Sequence, residues 1–305
     1  MLTQKPGIPE IREFTKNSAP LIHCITNPIS IHDCANMILA VGARPIMAEH
    51  PEEVEEITEV SSALMLNLGN ITDARIISMQ RALSTANRKN IPVLLDLVGV
   101  TCSQLRRSFA KQLLSQGVFS VIKGNISEIL AAAELPYHGT GIDAGSQDAV
   151  SVENQAWYCE TARHLAKHLN CTVMATGKKD LIADAESAFL VSNGHAALSG
   201  VTGTGCMVGA LTAAYLPGSK AIFTKSGIFE TSSLIPDKTK VSYGTAAALL
   251  AAVAMGISGE LAAEISKGPG SFQTALLDEV YAMTDETLLE KARLQEFLPQ
   301  NVETL

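Results

Sequence analysis

Short apolar runs alternate with longer stretches of helical spacing through the first half of the chain. Residues 21–25 precede a helix-like pattern at 29–41, and residues 63–68 precede one at 72–88, where Thr72 is a candidate N-cap. In the same way residues 92–97 lead into 102–115, and 120–122 into 127–134. Continuous apolar strands of this kind are buried on both faces, and each giving way to a helix predicts a mainly parallel sheet. Further on, residues 171–176 read as another buried strand, and 180–183 with 188–192 as a hairpin turning at Ala185 and Glu186. From Gly205 onward the spacing is almost wholly helical. The Gly-rich stretch 137–145 reads as a loop too short to separate domains, so the pattern predicts one α/β domain over residues 1–305.

Composition narrows the function. Charged residues make up 18% of the 305 residues and the formal charge is −8. That combination excludes a disordered chain, and it argues against nucleic-acid binding, which needs clustered Lys and Arg. The six cysteines, Cys24, Cys34, Cys102, Cys159, Cys171 and Cys206, contain no C-x-x-C pair, so reduced thiols and a cytoplasmic location are expected. The N-terminus carries no apolar run of the secretory type. Two stretches lack Asp, Glu, Lys and Arg. Residues 187–219 are broken by six Gly, and 241–259 have a continuous apolar core of only about ten residues where a membrane span needs about 20. Both are expected inside the protein, with no membrane partner.

In parallel sheets ligands bind beyond the carboxyl ends of the strands. Polar residues that directly follow an apolar run are therefore the candidates: Thr26 and Asn27, Asp96, the segment 123–128, and Thr176 with Gly177. The most distinctive feature is the glycine turn at residues 200–209, GVTGTGCMVG, which runs into a helical pattern. Glycines that let successive N–H groups converge, followed by a helix start, make an anion site. The same turn would equally permit close packing of an Ala-rich helix, and neither the Walker pattern nor the dinucleotide fingerprint is present. Cys206 is either a small buried hydrophobe or a thiol whose pKa falls at a helix start. Asp96 can hold Mg²⁺ directly or through water, or serve as a helix cap or a buried acceptor. Asn125 and Glu128 suit a hydrated cation, a capping box, or both. His164 and His168 read as a solvated helical face, and Met65 and Met79 as core fillers.

The ordered set then becomes specific. Ile25-Thr26-Asn27, residues 42–47 (GARPIM), Asp96 with Val98-Gly99, Lys123-Gly124-Asn125 with Glu128, and Thr176-Gly177 are followed by Thr202 to Cys206 and residues 267–272 (KGPGSF). This resembles hydroxyethylthiazole kinase, of the ribokinase-like superfamily, from about residue 10 to 290. The resemblance implies a ribokinase-like three-layer α/β sandwich. It also implies ATP-dependent phosphorylation of the hydroxyl of 4-methyl-5-(2-hydroxyethyl)thiazole, in thiamine biosynthesis or salvage. Carried over, Met47, Asn27 and Gly203 would meet the substrate, and Gly203, Thr204, Gly205 and Cys206 would form the catalytic anion hole. Lys123, Thr176 and Asn125 would bind ATP, with Asp96 and Glu128 organising Mg²⁺. The family's usual assembly implies a homotrimer with active sites at subunit interfaces. Two departures stand out: Leu97 where the family commonly has Pro, and Lys123 where it usually has Arg. The segment 101–103 also lacks the expected Gly-Ala run. Rival readings are another small-alcohol kinase of the superfamily, ATP-dependent dehydration of hydrated NAD(P)H, and a non-catalytic binding protein.

Overall fold

The computed structural model describes residues 7–139, 145–226, 229–230 and 240–297. The chain opens with α1 (Ile8–Ser18), β1 (Leu21–Ile25), α2 (Ile31–Ala40), β2 (Arg44–Ile46), α3 (Val54–Glu59) and β3 (Ala63–Asn67). Next come α4 (Asp73–Arg88), β4 (Val93–Asp96), α5 (Gln104–Gln116), β5 (Val121–Asn125), α6 (Ile126–Ala132) and α7 (Gln155–Leu169). The hairpin region supplies β6 (Thr172–Thr176), β7 (Asp180–Ala183) and β8 (Ala188–Val191), followed by α8 (Thr204–Ser226). Two-residue strands β9 (Phe229–Glu230) and β10 (Lys240–Val241) precede α9 (Tyr243–Ile265), α10 (Pro269–Ala282), α11 (Asp285–Lys291) and β11 (Leu294–Phe297).

One nine-stranded sheet runs in the order β11-β8-β7-β6-β5-β4-β3-β1-β2. Every pairing from β2 across to β6 is parallel. The pairings beyond β6 are antiparallel, as the short connections β6–β7 and β7–β8 require. Alternation along each strand explains the continuous apolar runs. In β3, Ala63 and Met65 join one core while Leu64 and Leu66 join the other; in β4, Leu94 faces the first core and Val93 and Leu95 the second. The first core packs α1, α2, α8, α9 and α10 on one face, and the second packs α4 to α7 on the other. This is the expected α/β sandwich.

Thr72 caps α4 as expected, its hydroxyl accepting the Arg75 N–H at 3.3 Å. The two long apolar helices α8 and α9 are mostly buried against each other and the sheet. Three differences from the sequence expectation are informative. The elements α1, β2 and α3 carry patterns too short or too polar to stand out. The C-terminal helical region ends in a strand, β11, which pairs with β8 at the sheet edge. An edge strand needs one partner and partial burial, so its sequence, LQEF, shows no apolar run. Finally β5 continues through Lys123 to Asn125, because these polar residues keep the ladder to Met174, Ala175 and Thr176. Residues 140–144 of the expected loop, and residues 227–228 and 231–239 of the C-terminal stretch, lie outside the described residues.

Candidate active site

Strand register assembles the site. Asn67 stands opposite Asp96, and Asp96 opposite Lys123, at the carboxyl ends of β3, β4 and β5. Each lies two residues beyond a side chain of the α8-side core, namely Met65, Leu94 and Val121, and so points to that same face. The start of α8 sits directly over this row. A Cβ placed on Gly205 would stand 3.3 Å from Lys123 Nζ, and one on Gly209 3.6 Å from Asp96 Oδ2.

A hydrogen-bonded cluster follows. Lys123 Nζ lies 3.2 and 3.1 Å from the two Asp96 oxygens. Asn67 Nδ2 donates to Asp96 Oδ2 at 3.0 Å and to Cys206 Sγ at 3.3 Å. Asn27 Nδ2 donates to Asn67 Oδ1 at 3.0 Å and also to Cys206 Sγ at 3.4 Å. Asn67 Oδ1 further accepts the Gly69 N–H at 2.9 Å, which fixes the orientation of its amide. All five side chains are buried.

The electrostatics are those of charge held in a dry place. Burial pushes the Asp96 carboxyl up, with Lys123 pulling it back. Burial also works against the Lys123 ammonium, but the charges of Asp96, Cys206 and Glu128 outweigh it and hold Lys123 above its ordinary value. The Cys206 thiol is pushed up by burial and by Asp96, against the opposing pull of Lys123. Its place at a helix start therefore does not make it a ready thiolate.

Gly203 precedes α8 with φ +89°, a conformation that glycine adopts without strain. The Thr204 hydroxyl donates to the Leu198 carbonyl at 2.9 Å, which leaves the Thr204 backbone N–H as the group at the start of α8. Helix geometry leaves the first N–H groups of α8 without intrahelical acceptors, and its positive dipole end lies beside Lys123. An anion fits there.

Asn125 and Glu128 do form a capping box on α6: Asn125 Oδ1 accepts the Glu128 N–H at 2.9 Å, and Glu128 Oε2 the Asn125 N–H at 2.7 Å. Glu128 Oε1 also accepts the Gly99 N–H at 2.7 Å, which ties α6 to the turn after Asp96. Burial pushes Glu128 up to about 7. Thr176 donates to the Gly124 carbonyl at 3.2 Å at the end of β6. Nearby, Asp180 Oδ1 accepts the Gly177 N–H at 2.9 Å, and burial pushes this acid up to about 7 as well. The Leu97 N–H, absent from a proline, donates to the Lys123 carbonyl at 2.7 Å and extends the ladder.

The structure thus gathers Asn27, Asp96, Lys123, Gly205 and Cys206 at one place, with Glu128 and Asn125 joined through Gly99. Met47 follows the edge strand β2, partly buried against the α8-side core and outside the hydrogen-bonded cluster. His164 and His168 are exposed on α7. Among the described residues no three His, Cys, Asp or Glu side chains group as a metal cage. Sequence reasoning missed Asn67, although it ends an apolar run just as Asp96 does.

Residues 11–286 match the model of the hydroxyethylthiazole kinase family. A protein of Clostridium botulinum strain Langeland named hydroxyethylthiazole kinase 2 is 43% identical over 288 residues, covering 94% of this chain and 100% of that protein. The solved structure of a hydroxyethylthiazole kinase protein from Pyrococcus horikoshii OT3 superposes with a TM-score of 0.78 at 31% identity, over 95% of this chain and 98% of that one. A ribokinase-like superfamily protein from Enterococcus faecalis V583, at 11% identity and TM-score 0.52, shares the fold over 92% of this chain and 95% of its own. With its ribokinase-like sheet and its match across most of its length, the chain belongs to the hydroxyethylthiazole kinase family of kinases.

Proposed function

We propose that the protein, acting as one catalytic domain, transfers the γ-phosphoryl group of ATP to the hydroxyl of 4-methyl-5-(2-hydroxyethyl)thiazole. The observation that carries this reading is the buried row Asn67, Asp96 and Lys123 set beneath the first turn of α8. Phosphoryl transfer asks a protein mainly for positioning and for stabilising charge on the moving group. Backbone N–H groups at residues 203–206 and the Lys123 ammonium would hold that group, with Thr176 and Asn125 on the side of the nucleotide. Asn27, Met47 and Gly203 would receive the thiazole alcohol. Its O–H bond breaks as the O–P bond forms, and ADP leaves with the electron pair of the bridging bond.

Asp96 and Glu128, two buried carboxylates at neighbouring strand ends, would hold Mg²⁺ that arrives with ATP and keeps its waters. Bound there, the ion would offset phosphate charge. Cys206 Sγ, which already accepts two amide N–H groups, is positioned to take the alcohol proton. Burial keeps the thiolate scarce, so this contribution is small, and the loose transition state of phosphoryl transfer needs little base assistance. The reading includes a cytoplasmic homotrimer with active sites between subunits, a role in thiamine biosynthesis, and neither nucleic acid nor membrane as partner.

The test is an assay with Mg-ATP and the thiazole alcohol, following the phosphorylated product by mass and phosphorus spectroscopy. ATP turnover without a phosphorylated alcohol would overturn the reading. Replacing Cys206 by Asp supplies an acceptor that ionises more readily and is expected to raise kcat, while Cys206→Ala lowers it. Full kcat in Cys206→Ala together with no gain in Cys206→Asp would remove the base role.

A further inference from the structure

Ser30 occupies the N-cap position of α2, yet its hydroxyl does not cap the helix. Every other serine or threonine at a described α-helix N-cap, namely Thr72, Ser103, Ser242 and Thr284, accepts an N–H from its own first turn. Asn27 Oδ1 accepts the Ile29 and Ser30 N–H groups, each at 3.1 Å, and so fixes the turn that leads into α2. Ser30 is 1% exposed, and its hydroxyl makes no well-formed hydrogen bond. It is turned into the site. A Cβ on Gly203 would lie 3.1 Å from Ser30 Cβ, and the hydroxyl faces the Cys34 and Cys206 thiols.

A buried hydroxyl without a partner is costly unless a ligand completes it. We propose that Ser30 contacts the substrate, its O–H donating to the oxygen of the acceptor alcohol. This rests on the phosphotransfer reading above. An alcohol oxygen carries one hydrogen and two lone pairs. The hydrogen faces Cys206 Sγ, one lone pair attacks phosphorus, and the second remains for Ser30. Ser30 would then select a ligand bearing a hydroxyl over the same ring without one.

The experiment compares calorimetric binding of the thiazole alcohol and of 5-ethyl-4-methylthiazole, which lacks only the hydroxyl. Wild type, Ser30→Ala and Ser30→Thr are measured, each first checked for thermal stability. Ser30→Ala is expected to weaken the alcohol about fivefold to tenfold while leaving the ethyl compound unchanged. Ser30→Thr keeps the preference, and the melting temperature of Ser30→Ala changes little, since the hydroxyl makes only weak contacts with the two thiols. Equal weakening of both ligands, or no weakening of either, overturns the inference while leaving the phosphotransfer reading standing. A wild type that binds but never phosphorylates the alcohol overturns that reading, and the inference falls with it.

Discussion

Asp96 and Asp184 lie at opposite ends of the same sheet, each buried beside the first turn of a long helix. Asp184 follows β7 at the amino end of the parallel strands, and it accepts four bonds, two from its own turn and two from the start of α9. Oδ1 accepts the Glu186 and Ser187 N–H groups at 3.1 and 2.9 Å, while Oδ2 accepts the Ser242 N–H at 3.1 Å and the Thr245 hydroxyl at 2.9 Å. Every donor is neutral, and together they pin a hairpin turn to the cap of α9. Asp96 also accepts four bonds, from Val98, Asn67 and twice from Lys123, but one partner is a buried ammonium. Beside it stand a thiol and the unpartnered hydroxyl of Ser30. A buried ion pair adds little net stability over apolar residues of the same volume. The contrast separates a network of neutral donors that closes on itself from one that holds a charge pair beside an unmet hydroxyl.

The largest effect should come from dividing the ion pair. Asp96→Leu strands the Lys123 ammonium and should cost about 3–5 kcal/mol in denaturant unfolding, with phosphorylation falling to background. The double variant Asp96→Leu/Lys123→Met should recover most of that stability and none of the activity. Recovered activity would mean that the pair is structural, like its counterpart. At the other end, Asp184→Ala should lose about 3 kcal/mol, because it leaves buried donors unmet. The folded enzyme should keep kcat to within about twofold of wild type. A selective loss of kcat would erase the distinction between the two ends.

A smaller effect sharpens the comparison inside the site. Asn67→Ala should lower kcat about 10- to 100-fold, by analogy with the loss of partners that orient active-site ligands. Its effect should be non-additive with Cys206→Ala in a double-mutant cycle, since Asn67 bridges Asp96 and the thiol. The smallest effect concerns pH. Asp180 binds its proton more tightly folded than unfolded, with a value of about 7 against 3.8, so its contribution is full below pH 3.8 and fades as pH rises through about 7. Asp180→Asn should therefore raise the melting temperature by a few degrees at pH 8 and leave it unchanged near pH 3.5.

Much of this was legible beforehand. The alternation of apolar runs and helices announced the sandwich; Asp96 and Lys123 were found at the ends of apolar runs, and Glu128 by its spacing from Asn125. Asn67 escaped notice because the run 63–68 absorbed it, so its strand-end position was visible only once β3 and β4 were in register. Thr204 was readable as part of the anion hole, but not the turning of its hydroxyl toward Leu198. Of the two readings of Cys206, the one with a lowered pKa rested on the helix start alone. Burial and the Asp96 charge, both products of packing, reverse it.

By itself the sequence determined the parallel sheet, its helical layers, the glycine turn before α8 and the family, because periodicity and motif order are local properties of a chain. Only the tertiary structure decided that Asn67, Asp96 and Lys123 form one row, that the Ser30 hydroxyl is left without a capping bond, and which of two buried aspartates pairs with an ammonium. Those outcomes depend on strand register and on which helix start lies over which strand end. Both are set by contacts between residues far apart in sequence, such as Asn67 and Cys206, 139 positions apart.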